Sequence, residues 1–207
     1  MRSRIRRLVG LGAVVALAAV LLVVGLAAAA SGQTRHVRWD IISLVGGAPP
    51  GPINPGGMAS AKAPDDTMIT LTGSGTFVAP QDNNGGSQAV TGGGTWQTFD
   101  AAGASTGSGT YQVKELVSYE FANFQSPTPV FVDNIADVNA RANGTAVLRI
   151  AFSDGSQGVL TVGCHGPGAP PGIFEGIATT KGFKTYYTVQ APVAGVDANR
   201  TIFHILR

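Results

Sequence analysis

From residue 31 onward, apolar and polar side chains alternate with a period of two. The alternation comes in short runs rich in Val, Ile, Thr and aromatic residues, each bounded by Gly, Pro, Asn or Asp. No stretch there has the spacing and caps of an amphipathic helix. The pattern predicts strands over 35–45, 67–79, 88–99, 106–121, 134–141, 145–152, 156–164, 173–181, 183–190 and 200–206. Successive strands with few long connections imply an all-β domain over 31–207, an antiparallel up-and-down β-barrel. A β-sandwich is the alternative, because strand count alone does not separate the two. In the barrel, the last strand (Thr201–Leu206) pairs with the first (Val37–Val45) and closes the wall. Gly46–Asp66, with five Pro and five Gly, reads as a long loop or a lid. Pro167–Gly172 is a second, strand-breaking loop.

Within this pattern a six-residue phrase occurs three times: Thr72-Gly73-Ser74-Gly75-Thr76-Phe77, Thr91-Gly92-Gly93-Gly94-Thr95-Trp96 and Thr106-Gly107-Ser108-Gly109-Thr110-Tyr111. Strand alternation puts two Gly and the aromatic of each copy on one face and the Thr residues on the other. Gly permits sharp bending, and a nearby aromatic covers the bare backbone, as a closing barrel requires. Phe77, Trp96 and Tyr111, with Tyr119 further along, either fill the core or wall a ligand site. Two hairpins can be placed in register. Three-residue loops at Ala142–Gly144 and Ser153–Gly155 align Val138, Leu148 and Leu160 in one apolar row, and set Asp137 opposite Arg149.

The first thirty residues differ in kind. Arg2, Arg4, Arg6 and Arg7 precede an uncharged apolar run, Leu8 to Ala30, that ends in an Ala cluster before Ser31. This is the layout of an export signal, with cleavage near Ala30, or of an uncleaved membrane anchor: as a helix it would span about 34 Å. The expected location is secreted or extracytoplasmic, with membrane contact only through 8–30 if that segment is retained. The segment also carries the formal positive charge. The remainder has ten basic and twelve acidic residues and no run of Lys or Arg, so nothing points to nucleic acid. One Cys excludes an intrachain disulfide framework and any multi-Cys metal site, and no cofactor is expected.

Candidate chemistry rests on few residues. Along Tyr111–Phe121, the odd positions are apolar or aromatic except Glu115. On an interior face its carboxyl would have a raised pKa and could serve as a general acid or base. A bulge near Lys114 would instead flip the parity and turn Glu115 to solvent. Cys164 follows Leu160 and Val162 on one face and is expected to be buried and unpaired. His36 and His204 lie on the two terminal strands and would meet if the barrel closes, though two His alone make a poor metal site. His165 points away from the Cys164 face.

Gly172-Ile173-Phe174-Glu175-Gly176, with Val90-Thr91-Gly92-Gly93, resembles the glycine-rich strand phrases of the allene oxide cyclase and dirigent group. The resemblance implies a small barrel with an apolar interior. Here the two phrases stand about eighty residues apart, whereas in the cyclases they run together. Glu175, between Ile173 and Ile177, is the second acid–base candidate. Gly94-Thr95-Trp96 is also similar to the Gly-x-Trp of lipocalins, but it falls on the third strand. The functional expectation is an exported barrel that binds a small apolar or aromatic molecule, or a partner protein, at one barrel mouth. The alternatives are a barrel isomerase or cyclase using a buried Glu, and an extracellular adhesion or surface domain.

Overall fold

The computed structural model describes residues 34–44, 51–80, 85–128, 131–189 and 199–206. The expected export segment and the start of the 46–66 loop lie outside the described residues. Thirteen strands run through the described chain. They are β1 (Thr34–Leu44), β2 (Ile53–Pro55), β3 (Ala59–Lys62), β4 (Met68–Leu71), β5 (Ser74–Pro80), β6 (Val90–Phe99) and β7 (Ser105–Phe124). After a short 3-10 turn at Val138–Ala140 come β8 (Arg141–Phe152), β9 (Gln157–Cys164), β10 (Gly176–Lys181), β11 (Lys184–Tyr186), β12 (Thr188–Val189) and β13 (Thr201–Leu206).

The fold is an antiparallel β-barrel. Pairing runs β1–β5–β6–β7–β8–β13 and returns to β1, so six strands close on themselves. The chain ends meet as expected, with Val37 opposite Ile205 and Trp39 opposite Phe203. The remaining strands extend two flanks from this ring. Residues 90–93 of β6 pair with β5, whereas 96–99 pair with β4, which continues to β3 and β12. On the other flank β8 pairs with β9, then β10 and β11. Only Tyr187 separates β11 from β12, so the segment Lys184–Val189 joins the flanks into a second hydrogen-bonded circuit through β6, β7 and β8.

The strand expected over 67–79 is therefore two strands, which pair different stretches of β6 and have different second neighbours, β3 and β1. The break lies at Thr72-Gly73, where the Tyr111 hydroxyl donates to the Thr72 carbonyl at 2.9 Å. A Cβ on Gly73 would stand 2.2 Å from that hydroxyl oxygen, so only glycine admits the contact. The repeat's faces are as predicted: Phe77, Trp96 and Tyr111 are buried, while Thr76 bonds Thr91 and Thr72 bonds Thr95 on the outside. The aromatic of one copy lies over the glycines of the next, since Cβ atoms on Gly107 or Gly109 would meet the Trp96 indole.

The described part of the expected 46–66 loop carries β2 and β3, and the turn expected at Ala142–Gly144 lies inside β8. Two further expectations are corrected. Of the strand expected over 134–141, residues 134–140 form none, and Val138 is exposed. Asp133 accepts hydrogen bonds from the amides of Ile135 and Ala136, and Asp137 caps the 3-10 turn through the Asn139 amide. These side chains hold the backbone in turns that a ladder cannot use. β7 takes the vacant place beside β8, so the apolar row is Leu116, Leu148 and Leu160. The second correction is within β7. It runs for 20 residues, with register shifts at 113/115, 116/118 and 121/123. Each shift inserts an unpaired residue and flips the parity. Its largest buried members, Tyr111, Val113, Leu116 and Tyr119, are accordingly spaced by two and then by three.

Cross-strand partners share a face. Trp39, Phe77, Tyr119 and Phe203 thus fill the six-stranded ring, with Phe77–Tyr119 and Tyr119–Phe203 edge contacts at 5.1 and 5.3 Å. A second aromatic group, Trp96, Tyr111 and Phe152, lies where β6, β7 and β8 enter the larger circuit. The Lys181 ammonium sits 4.2 Å from the Trp96 ring centre.

Candidate functional site

Because Phe203 points inward, Ile202 and His204 point outward, and so do their neighbours Arg38, Ile42 and Arg141. This outer face is nevertheless mostly buried: Ile42, Arg141, Ile202 and His204 are buried, while the Arg38 side chain stays 35% exposed. β2 pairs with the end of β1, with Ile42 opposite Pro55. The β7–β8 connection then joins β2, because the Ile53 amide donates to Val132 and the Asn134 amide to Ile53. Together these segments form a flap over the β1–β13–β8 wall.

A cavity of about 210 Å³ lies between flap and wall. Ile42, Leu44, Ile53, Phe131 and Ile202 supply apolar lining, and Gln125, Arg141, His165, Glu175, Arg200 and Thr201 supply polar groups. Three basic side chains stand in register across the wall: Arg38, His204 and Arg141 on neighbouring strands. Arg38 makes a two-pronged contact with the buried Asp40, both distances 2.8 Å. His204 Nε2 donates to Asp133 Oδ2 at 2.9 Å, both side chains fully buried. Burial by itself would raise the Asp133 pKa, but the His204 hydrogen bond and the Ile135 and Ala136 amides outweigh it and hold the carboxyl below its usual range. Arg141 is only 2% exposed. Its Nε donates to the Val138 carbonyl at 3.0 Å, and its guanidinium carbon lies 5.4 Å from the Phe131 ring centre. Its Nη1 has no hydrogen-bond partner.

Glu175 stands just before β10, where β9 ends and β13 begins. Its two oxygens accept the amides of Thr201 at 2.8 Å and His165 at 2.6 Å. Burial pushes its pKa up to about 7, against the lowering effect of those amides and of Arg200 and His165. A carboxyl at this value exchanges a proton near neutrality, which suits acid–base work.

The other sequence candidates fall elsewhere. Glu115 is not on the interior face. The bulge at Lys114 turns it outward, where its side chain is 31% exposed and pairs with Arg149 across the strands at 3.0 Å. Phe77, Trp96, Tyr111 and Tyr119 are buried against one another and other core rings, and none lines the cavity. Cys164 is buried and free, in the row with Leu160 and Val162. Its thiol is pushed well up by burial and by the negative field of Glu175, and it accepts from Gln125 Nε2 at 3.3 Å. His36 and His204 do not meet: His204 faces Arg38, and His36 faces Leu206. Among the described residues no cluster of three His, Cys, Asp or Glu could hold a metal.

Sequence reasoning missed Arg141 and Asp133. A charge at a strand end reads as solvated, and only the flap, built from distant segments, buries it. Compared with known proteins, the chain matches no family model, no curated protein and no solved structure.

Proposed function

We propose that this chain is an exported β-barrel that binds a small, largely apolar molecule in the cavity between the flap and the β1–β13–β8 wall. The observation that carries the reading is the cavity itself, an apolar concavity into which a few polar groups converge. The ring interior is occupied by large aromatics, as expected for a barrel of few strands. That moves the site from the barrel mouth to the outer face. An apolar cavity of about 150 Å³ takes benzene. A space of about 210 Å³ therefore suits one aromatic ring with a substituent, or a short branched chain. The test is ligand-observed NMR with a panel of single-ring aromatics, on the native chain and on Leu44→Trp, which fills the cavity from its rim. Binding that Leu44→Trp abolishes supports the reading; binding that survives the substitution, or none at all, overturns it.

A second reading, a barrel isomerase or cyclase, is favoured by one observation: Glu175 lines this cavity with a pKa of about 7. The resemblance of Gly172–Gly176 to the allene oxide cyclase and dirigent group leans the same way. In this reading Glu175 moves a proton at a bound carbon acid, and Glu115 has no part. A bound ketone should then exchange an adjacent C–H with D2O in the native protein and not in Glu175→Gln. Equal exchange in both removes this reading.

A further inference from the structure

We infer that the ligand of this cavity carries an anionic head, so that the site takes a small hydrophobic carboxylic acid with its carboxylate on Arg141. The inference rests on the cavity being the binding site. Arg38, His204 and Arg141 stand side by side on β1, β13 and β8. Arg38 has Asp40, and His204 has Asp133. Arg141, the most deeply placed arginine of the row, has no carboxylate at ion-pair distance among the described residues. It feels the field of Asp133, but that carboxylate is already engaged with His204.

A guanidinium keeps its charge in a protein, and a buried charge without a partner is costly. Arg141 is 98% buried, leaves Nη1 unbonded and borders an apolar cavity. Its orientation is fixed beforehand by the Nε bond to Val138 and by the Phe131 ring. A planar fork held in this way matches a carboxylate in two-pronged geometry. Among the described residues the row has no third acid, and the ligand supplies it. Glu175 does not take that role. Its oxygens are occupied by the Thr201 and His165 amides, and Thr201 lies three residues along β13 from His204, about 10 Å away. The apolar lining from Ile42, Leu44, Ile53 and Ile202 then holds the ring or chain.

Benzoate and benzamide have nearly the same shape and differ in charge, which makes them the probes. Isothermal titration of the full chain should show benzoate binding at least tenfold more tightly than benzamide. Arg141→Met should abolish that preference. Arg141→Lys, which keeps the charge and loses the fork, should retain a reduced preference. The native comparison needs no variant, so a misfolded substitution does not blunt the test. Equal native affinities, or a preference that survives in a folded Arg141→Met, overturn the inference and leave the cavity reading standing. If neither compound binds, the cavity reading falls and this inference with it.

Discussion

On the inner face of the β8–β13–β1 wall, Phe203 meets Phe77 and Tyr119 in edge contacts, with Trp39 beside them. On the outer face, one residue away in each strand, stand Arg141, His204 and Arg38. Both faces are buried, yet by different means. The inner face is closed by curvature, and its burial is apolar and non-directional. It carries two unpartnered polar atoms, Trp39 Nε1 and the Tyr119 hydroxyl, both on neutral groups, with burial pushing the Tyr119 hydroxyl further up. The outer face is buried mainly because the flap covers it, and its polar groups must be matched one by one. Arg38 has Asp40 and His204 has Asp133, whereas Arg141 has no carboxylate at ion-pair distance among the described residues, and Arg141 Nη1 and His204 Nδ1 stay unpartnered. A fold can therefore keep a closed interior for stability and make its site on the reverse of the same strands.

The largest expected effect is on the inner side. Phe203→Ala should cost about 3–5 kcal/mol, the usual range for a large aromatic lost from a core. Denaturant unfolding measures it, and a cost under about 1 kcal/mol would mean that the ring interior is not the packed core described.

Cys164→Ser comes next. It places a hydroxyl where the thiol is buried and should cost about 1–3 kcal/mol. In the native protein the thiol should resist alkylating reagents until unfolding. Rapid native labelling would make Cys164 an exposed and reactive group.

The two faces should also part in their response to pH. The Asp133 pKa is lowered in the folded state, so its contribution is present above the unfolded value of about 3.8 and is lost as pH falls through the lower folded value. Glu175 runs the other way. Its folded pKa, about 7, lies above its unfolded value of 4.5. Between those values the folded state binds more protons, so stability is greatest at the acid end and declines as pH rises towards 7. Asp133→Asn should flatten the first limb and Glu175→Gln the second, as read by melting temperature across pH. Phe203→Ala should shift the whole curve without changing either slope. Unchanged slopes in both carboxyl variants would contradict the electrostatics assigned to the outer side.

The smallest effect is at Glu115. Its pairing with Arg149 is partly exposed, so Glu115→Gln should cost under about 1 kcal/mol. A larger loss, or a loss of ligand binding, would return Glu115 to the candidate site.

What was legible in the sequence follows the same division. Period-two alternation marked the Leu148–Leu160 pairing, the two faces of the repeat and the burial of Cys164, because each depends on a face being apolar, while the β1–β13 closure followed from the strand order of an up-and-down barrel. The bulges in β7 were legible only as an alternative, since an inserted residue has no side-chain signature of its own. They decided where Glu115 points. Residues 134–141 alternate like a strand, but the Asp133 and Asp137 side chains bond the backbone locally and win. Glu175 was named, but its two amide partners come from β13 and the end of β9, which meet only in the folded barrel. Arg141 needed a flap made of β2 and the β7–β8 connection, and no local pattern announces that cover.

Methyl NMR of the chain with labelled Ile and Leu, titrated with a single-ring aromatic ligand, tests most directly whether the site lies on the outer face. The expected result is intermolecular contacts and shift changes at Ile42, Leu44, Ile53 and Ile202, with Leu116, Leu148 and Leu160 unmoved. Contacts to the interior leucines, or to neither group, would contradict it.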